Sequence, residues 1–261
     1  MDYVSSILQG GLGNYMFQIA ATYAYGKKYN KTIGFNCSES VLIHKHVTEY
    51  EKNVLKNVYL YFVGKPERLV QHTEQGFHYQ EIPNYDSSVL LYGYFQSEKY
   101  FKEYEDEIRK LFMSYDVHID DELKTILESK NTCSIHVRRG DYLKSPNNHP
   151  TQSIEFYNKA IEQMPSDSIF LIFSDDIEWC KNNFPNESDK FIFIEGKKDY
   201  EDLYLMSHCK NNIICNSTFS WWGAWLNNNV NKMVVVPKNW FGPAYAQHNT
   251  IDLYCDNWIK I

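Results

Sequence analysis

The residues best suited to chemistry lie in the segment HVRRGDY, residues 136–142. Its adjacent arginines, Arg138 and Arg139, offer planar sets of N–H donors that match the oxygens of a diphosphate. Asp141 is close enough in sequence to hold one guanidinium in place, and the ring of His136 can hydrogen-bond to a base or a ribose. An exposed basic turn with a local salt bridge has the same sequence signature, so the segment alone leaves both interpretations open.

A second segment, NSTFSWWGAW at residues 216–225, places hydroxyl side chains before an apolar stretch. Ser217 and Thr218 suit the start of a helix, where a hydroxyl oxygen accepts hydrogen bonds from the first N–H groups. The same N–H groups, together with the positive end of the helix dipole, also bind phosphate. Capping alone explains one hydroxyl residue, whereas several hydroxyls in a chain with paired arginines favour phosphate binding.

A glycine turn, QGGLGN at residues 9–14, is the third candidate. It departs from the dinucleotide-binding fingerprint, because Met16 occupies the third glycine position and no acid is well placed about 20 residues later. Its small residues still let the backbone approach a ligand, and Asn14 can both donate and accept hydrogen bonds. A tight turn without a ligand explains the same residues equally well.

Three acidic residues complete the candidate set. Asp175 and Asp176 follow the apolar run at residues 168–173, and Asp202 lies in the amphipathic segment before the serine-rich motif. Each could be a solvated acid or a helix cap. Because all three are expected at the same sheet edge as the arginines, we predict a nucleotide-binding or supporting role for them.

The elements that position these motifs alternate in the second half of the chain. Short apolar runs followed by amphipathic segments are typical of βαβ units with a buried parallel sheet. The ends of such strands lie at one edge, where ligands bind. The predicted strands are 132–137, 168–173, 190–194, 212–215 and 232–236, and the predicted helices are 153–164, 176–183, 199–209 and 217–228.

The first half is also predicted to be α/β. Its elements are a strand at 5–8, a helix at 14–28, a strand near Thr32, a strand at 89–94 and a charged helix at 97–112. The boundary between the halves is placed within residues 113–130. This gives an N-terminal domain at 1–120 and a C-terminal domain at 121–261.

Composition excludes several classes of protein. The 261-residue chain has a formal net charge of −7, which disfavours general nucleic-acid binding. No run of about 20 apolar residues and no basic signal segment occurs, and the first strand begins close to Met1, so a cytoplasmic protein without a membrane anchor is expected. The six scattered cysteines predict reduced thiols, and His44 and His46 lack the companions of a metal site.

Five segments together resemble the α-1,2-fucosyltransferases of bacteria and vertebrates, and they follow the order of that family over nearly the whole chain. They are GGLGNYMFQ, LLYGYFQSEKYF, HVRRGDY, FSDDIEWC and DLYLMSHCKNNIICNSTFSWWGAWL. The resemblance implies a glycosyltransferase B-like fold of two Rossmann-like α/β domains. It also implies that the C-terminal domain holds the nucleotide, that the N-terminal domain lies on the acceptor side, and that no metal is required.

A more distant resemblance, to α-1,6- and protein O-fucosyltransferases, implies individual roles. Arg138 is similar to the ligand of the β-phosphate, with Arg139 and Asp141 supporting it as the catalytic set. His136 and Asp202 resemble the pair that recognises guanine, and Asn14 resembles an asparagine near the transferred sugar. The expected donor-binding residues are thus His136, Asn14, Asp175, Asp176, Asp202, Ser217 and Thr218.

The implied activity is inverting transfer of L-fucose from GDP-fucose to the 2-hydroxyl of a sugar acceptor, a β-galactoside. The alternatives are an inverting transferase for another nucleotide sugar and a sugar-nucleotide-binding module without catalysis. A nicotinamide oxidoreductase is disfavoured by the broken glycine fingerprint. The base that deprotonates the acceptor is not identified, because Asp141 and His136 both have other expected roles.

Overall fold

The chain folds into two compact units in a computed structural model that describes residues 2–35, 47–58, 61, 69–185 and 189–261. Unit 1 comprises Met1–Asp116 and His248–Cys255, and unit 2 comprises Val117–Gln247 and Asp256–Ile261. The sequence suggests a single boundary at residues 120 and 121, whereas the contacts divide the chain after Asp116 and return residues 248–255 to unit 1. His44 and His46 lie outside the described residues.

Unit 1 contains a four-stranded sheet in the order β2-β1-β4-β3, with every neighbouring pair parallel. Its elements are β1 (Tyr3–Ser6), α1 (Leu12–Lys28), β2 (Thr32–Ile33), β3 (Val70–Thr73), β4 (Val89–Tyr92) and α2 (Glu105–Met113). Chain order reverses between the central strands β1 and β4, since β2 lies on one side of them and β3 on the other. Their carboxyl ends therefore form a topological switch point.

The predicted helix at 97–112 is wrong in its first half. Two 3-10 turns, Glu98–Tyr100 and Lys102–Tyr104, precede α2. The chain leaves helical geometry at Phe101, which has φ −142° and ψ 3° and whose side chain is buried. Burial of this ring against Phe17 thus overrides the helical propensity of the charged residues around it.

Unit 2 contains a six-stranded sheet in the order β10-β9-β8-β5-β6-β7, also parallel throughout. Its strands are β5 (Thr132–Val137), β6 (Ile169–Ser174), β7 (Phe191–Phe193), β8 (Asn211–Ile213), β9 (Val234–Val236) and β10 (Ile259–Lys260), and its helices are α3 (Asp121–Ser129), α4 (Ile154–Glu162), α5 (Ile177–Asn183), α6 (Asp199–His208) and α7 (Thr218–Leu226). The five strands and four helices predicted here are present within a few residues, whereas α3 and β10 were not predicted.

The sheet of unit 2 is buried on both faces. Along β6, Phe170 and Ile172 pack in one apolar cluster, and Leu171 and Phe173 pack in another. Successive side chains of a strand point to opposite faces, so a continuous apolar run needs helices on both sides. The α/β class with two Rossmann-like units is therefore confirmed.

The helices differ from membrane-spanning segments. Over the ranges that the structure describes, no helix combines the length and the apolar character needed to cross a bilayer. The longest helix, α1, has 17 residues and includes polar and basic side chains.

Candidate functional site

The predicted residues of unit 2 gather at the carboxyl edge of its sheet. The loop after β5 carries both arginines, the turn after β6 carries both aspartates, and the segment after β8 leads into α7. Chain order reverses between β5 and β8, because β6 and β7 lie on one side and β9 and β10 on the other. Ligands of open α/β sheets bind in the crevice at this kind of switch point.

Arg138 lies between two carboxylates. Its Nε donates to Oδ1 of Asp141 at 3.0 Å, its Nη2 lies 2.7 Å from the same oxygen, and Nε lies 3.2 Å from Oδ2 of Asp175. Burial by itself lowers the pKa of Arg138, but the charges of Asp175 and Asp141 outweigh it, so the pKa is raised. The side chain keeps 34% of its surface exposed. Arg138 is therefore a charged group that solvent and ligands can reach.

Arg139 is held more tightly than its neighbour. Its Nε donates to Oδ2 of Asp176 at 3.0 Å, and its guanidinium lies 4.2 Å from the centre of the Trp179 ring. Its backbone N–H donates to Oδ1 of Asp175 at 2.9 Å, and only 16% of its side chain is exposed. Arg139 thus fixes the loop to the turn after β6, and its backbone N–H orders the Asp175 carboxylate beside Arg138.

Gly140 is required by the same packing. A methyl group added at its Cα would lie 2.7 Å from Oδ2 of Asp175. That oxygen also contacts Arg138, so no larger residue fits without moving the carboxylate. The glycine lets the loop approach the turn closely enough for both arginines to reach their partners.

His136 is the penultimate residue of β5, and its side chain lies next to the segment that follows β8. Its Nδ1 is 3.2 Å from Sγ of Cys215, and its ring centre is 5.5 Å from that of Phe219. Burial, and secondly the charge of Arg138, lower the pKa of His136 to about 3, so the ring is neutral at pH 7. Burial also raises the pKa of the Cys215 thiol to about 12. The thiol can therefore donate to Nδ1, which leaves the proton of the neutral ring on Nε2.

The start of α7 differs from the predicted cap. Ser217 occupies the N-cap position, but its side chain makes no capping hydrogen bond. The expectation that this hydroxyl caps the helix is wrong at the level of the hydrogen bond, because the side chain does not accept from the N–H groups of the first turn. Thr218 is the first helical residue, and no acid occupies that turn. The first N–H groups of a nine-residue helix thus remain suited to an anion.

Asp202 is a partly buried acid of α6. It lies in the first turn of α6, and its Oδ1 is buried with no hydrogen bond from any described residue. Burial, followed by the charges of Asp199 and Glu201, raises the pKa of Asp202 to about 7. A half-buried acceptor left in this state is costly unless a ligand donates to it.

A group of polar and aromatic side chains beside the arginine loop was not predicted from the sequence. The hydroxyl of Tyr142 donates to the backbone carbonyl of Asn216 at 2.9 Å, and its ring stacks on His149 with centres 5.2 Å apart. The buried side chain of Asn216 accepts from Gln152 at 2.9 Å and donates to the carbonyl of Trp240 at 3.0 Å. These contacts join the loops on the two sides of the crevice. Both motifs contain one of the partners, but sequence alone does not indicate that they meet.

Asn14 lies in unit 1, apart in sequence and fold from the other nine predicted residues. It is in the first turn of α1, and its Oδ1 accepts from Nε2 of Gln96 at 3.0 Å. The preceding turn contains Gly10 with φ +90°, where an added Cβ would lie against the Asn14 amide. Gly10 is therefore required by its positive φ and by its close contact with the Asn14 side chain.

No metal centre is assigned. Within the described parts of the chain, no group of three or more His, Cys, Asp or Glu side chains is placed to hold a metal ion. The free cysteines of these parts are all buried: Cys133, Cys180, Cys209, Cys215 and Cys255.

Comparison with known proteins assigns the family. The family model for Glycosyl transferase family 11 matches residues 4–261. Two Escherichia coli proteins are each 31% identical to this chain: the O-antigen biosynthesis glycosyltransferase WbnK, over 98% of this chain and 99% of that protein, and an alpha-1,2-colitosyltransferase, over 100% and 99%. A galactoside 2-alpha-L-fucosyltransferase of Caenorhabditis elegans is 27% identical over 87% of this chain and 69% of its own length.

Each unit contains a parallel sheet, and the switch point of unit 2 forms a crevice suited to an anion, so the chain is an α/β protein of the open-sheet type. The family match extends over both units. The chain therefore belongs to Glycosyl transferase family 11, and it is a glycosyltransferase of the fucosyltransferase type.

Proposed function

We propose that this protein is an inverting transferase that moves L-fucose from GDP-fucose to the 2-hydroxyl of a β-galactoside. The observation that supports it most is the meeting of Arg138 and the uncapped start of α7 at one sheet edge. A relative described as an alpha-1,2-colitosyltransferase and another described as a galactoside 2-alpha-L-fucosyltransferase support a 1,2 linkage.

The proposed nucleobase is guanine. Two polar groups at this sheet edge, His136 and Asp202, match the donors and the acceptor that guanine presents. Guanine presents one acceptor, O6, beside the donors N1–H and N2–H. The neutral ring of His136 has a donor at Nε2 for O6, and the carboxylate of Asp202 accepts from the two donors. Uracil and adenine lack this arrangement, so UDP and ADP are expected to bind poorly.

In the proposed reaction the acceptor hydroxyl attacks C1 of fucose from the face opposite to the leaving GDP. The transition state resembles an oxocarbenium ion, and negative charge grows on the β-phosphate as the bond breaks. Arg138 and the N–H groups of α7 neutralise that charge without a metal. Removing one such preorganised donor typically slows catalysis by about 10²–10³-fold.

The acceptor proton needs a base that this edge does not readily supply. A pKa of about 3 makes His136 a weak base at neutral pH. Asp141 is already engaged by Arg138, whose Nε and Nη2 lie 3.0 Å and 2.7 Å from its Oδ1. We therefore assign Asp141 to positioning of the arginine.

Colitosyl transfer is the second candidate, because a relative with that description is 31% identical over the whole chain. Colitose is fucose without its 3-hydroxyl, so the two donors differ by one hydrogen-bonding group. The test offers GDP-fucose, GDP-colitose and UDP-galactose to the purified protein with lactose, and the product linkage is read by NMR. Faster turnover of GDP-colitose would replace fucose in the proposal. Donor binding without transfer or hydrolysis would favour a catalytically inactive module.

A further inference from the structure

The sheet of unit 1 has a switch point of its own, between the carboxyl ends of β1 and β4. The loop after β1 contains Gly10 and leads to Asn14, and the loop after β4 contains residues 93–96. Ligands of open α/β sheets bind at such crevices. The guanine and the phosphates of the donor have proposed partners in unit 2, whereas neither the transferred sugar nor the acceptor sugar has one there.

A fully buried glutamine fixes the two loops to each other. Gln18, on α1, accepts from the N–H of Gln9 at 3.0 Å and donates to the carbonyl of Gly93 at 3.1 Å. Both ends of its amide are thus used, one in each loop. A buried amide that is fully hydrogen-bonded holds its partners in one arrangement.

Glu74 fixes the second loop from the other side. Its Oε2 accepts from the N–H groups of Tyr94 at 2.7 Å and Phe95 at 2.9 Å. Phe95 has φ +52°, a left-handed conformation that bulky residues rarely adopt. Burial raises the pKa of Glu74 to about 7 although the two N–H bonds lower it. A partly buried carboxylate therefore holds a strained backbone, the combination that occurs at functional sites.

Gln96 follows the strained residue and ends in an unused acceptor. Its side chain is 6% exposed, its Nε2 donates to Asn14, and its Oε1 has no hydrogen-bond partner among the described residues. A buried acceptor of this kind calls for a donor that the described residues do not supply. A sugar hydroxyl is such a donor, and Oε1 can accept from one while Nε2 keeps its bond to Asn14.

We propose that Gln96 accepts a hydrogen bond from a hydroxyl of the acceptor sugar at the β1–β4 crevice, and that Glu74 is the positioning residue that fixes its loop. The inference rests on the proposed transferase function and adds the acceptor-binding residue to it. Asn14 orients the Gln96 amide through its own hydrogen bond.

The test measures binding of the acceptor separately from binding and hydrolysis of the donor. Gln96→Met keeps the side-chain volume and removes both the acceptor and the Nε2 donor to Asn14. We expect the KM for lactose to rise about tenfold through loss of the hydrogen bond to the sugar. Affinity for GDP and hydrolysis of GDP-fucose should stay within about twofold. Gln71→Met, at an exposed glutamine of β3, is the matched control and should change neither.

Glu74 is tested by rescue. Glu74→Ala removes the acceptor for both N–H groups, so we expect it to raise the lactose KM about as much as Gln96→Met. Glu74→Gln retains a side-chain oxygen and should recover most of that loss, whereas a purely electrostatic role would leave it as impaired as alanine. The exposed Glu81, paired with Lys28, provides the control Glu81→Gln.

Direct titration of lactose into GDP-saturated protein measures acceptor affinity without sugar transfer. It therefore tests the role of Gln96 independently of which sugar the donor carries. If the wild-type protein binds GDP and lactose but transfers another sugar, the donor assignment fails and the Gln96 effect on lactose affinity should remain. If Gln96→Met does not fold, Gln96→Asn keeps the polarity and shortens the reach, and the same loss is expected. Unchanged lactose affinity in a folded Gln96 variant would overturn the inference.

Discussion

Arg138 and Arg139 are adjacent in sequence, yet their surroundings separate their roles. Arg139 is enclosed by Asp176 and the Trp179 ring, while Arg138 faces Asp141 and Asp175 with a third of its side chain exposed. A ligand phosphate can therefore replace or join the carboxylates of Arg138 without breaking the packing around Arg139. Sequence identified the pair as phosphate-suited, and only the positions of Asp176 and Trp179 distinguish its members.

Arg138→Lys tests the diphosphate role. Lysine keeps the charge but loses the planar fork, so we expect kcat to fall at least about tenfold while the thermal midpoint changes little. Arg109→Lys, on α2 of unit 1 and paired with Glu105, is the matched control and should leave kcat intact. Full activity in Arg138→Lys would make Arg138 a structural residue.

Ser217→Ala and Thr218→Ala test the start of α7. A true cap would cost about 0.5–2 kcal/mol of stability on substitution by alanine. Since the Ser217 side chain makes no capping bond, we expect urea unfolding of Ser217→Ala to stay close to the wild type. Both variants should weaken GDP-fucose binding, measured by calorimetry. Unchanged donor affinity in both would assign the motif to helix packing alone.

Asp202 predicts a pH dependence with opposite signs for folding and binding. Its pKa rises from 3.8 to about 7, so between these values the folded state binds more protons than the unfolded state, and stability falls as pH rises. Guanine donors require the ionised carboxylate, so GDP affinity should instead rise from pH 6 to pH 8. Asp202→Asn should remove both trends, and calorimetry with thermal melts across this range checks them. A GDP affinity independent of pH in the wild type would exclude Asp202 from the base site.

At the scale of elements, sequence patterns predicted the sheet of unit 2 best. β5 and β6 are short, continuous apolar runs that are followed by charged residues. Such runs are typical of strands buried on both faces of a parallel sheet. β3 was not predicted because its residues, VQHT, lie at a sheet edge and are mostly exposed. α3 lies where the domain boundary was expected, since its polar surface conceals the two buried positions, Leu123 and Leu127.

The turn after β5 provides a prediction at this scale. In Gly140→Ala the new methyl group would meet Oδ2 of Asp175, so the carboxylate must move away from Arg138. We expect GDP affinity to fall several-fold, since the arginine loses one of its two ordering partners. Asp175→Asn should have a similar effect through the same contact. An unchanged affinity in Gly140→Ala would mean that this turn relaxes without consequence for the site.

At the scale of the molecule, each unit has one sheet with one reversal of strand order, and polar residues gather at both reversals. The crevice of unit 2 was predictable from the sequence because paired arginines and hydroxyl residues indicate phosphate binding. The crevice of unit 1 was not, because one glutamate and three amides form it: Glu74, Gln18, Gln96 and Asn14. Gln96 is distinguished only by its burial, and Glu74 only by its hydrogen bonds to the strained backbone at Phe95.

Hydrogen exchange tests the division into units. GDP at about 100 times its Kd should stabilise the unit that binds it by about 2.7 kcal/mol. We expect the added protection in β5, β6 and β8 of unit 2, with residues 248–255 following unit 1 instead. Protection that appears first in β1 and β4 would place the nucleotide in the other unit.

The return of residues 248–255 to unit 1 also has a consequence for synthesis on the ribosome. Asp252 accepts from the N–H of Tyr79 at 2.9 Å and pairs with Lys99. The unit whose main segment is translated first therefore also contains residues that are translated near the end. Domains usually fold in the order in which they emerge. Here unit 1 stays incomplete until translation has passed Cys255, and a gene fragment that ends at residue 120 encodes a unit without one of its own segments.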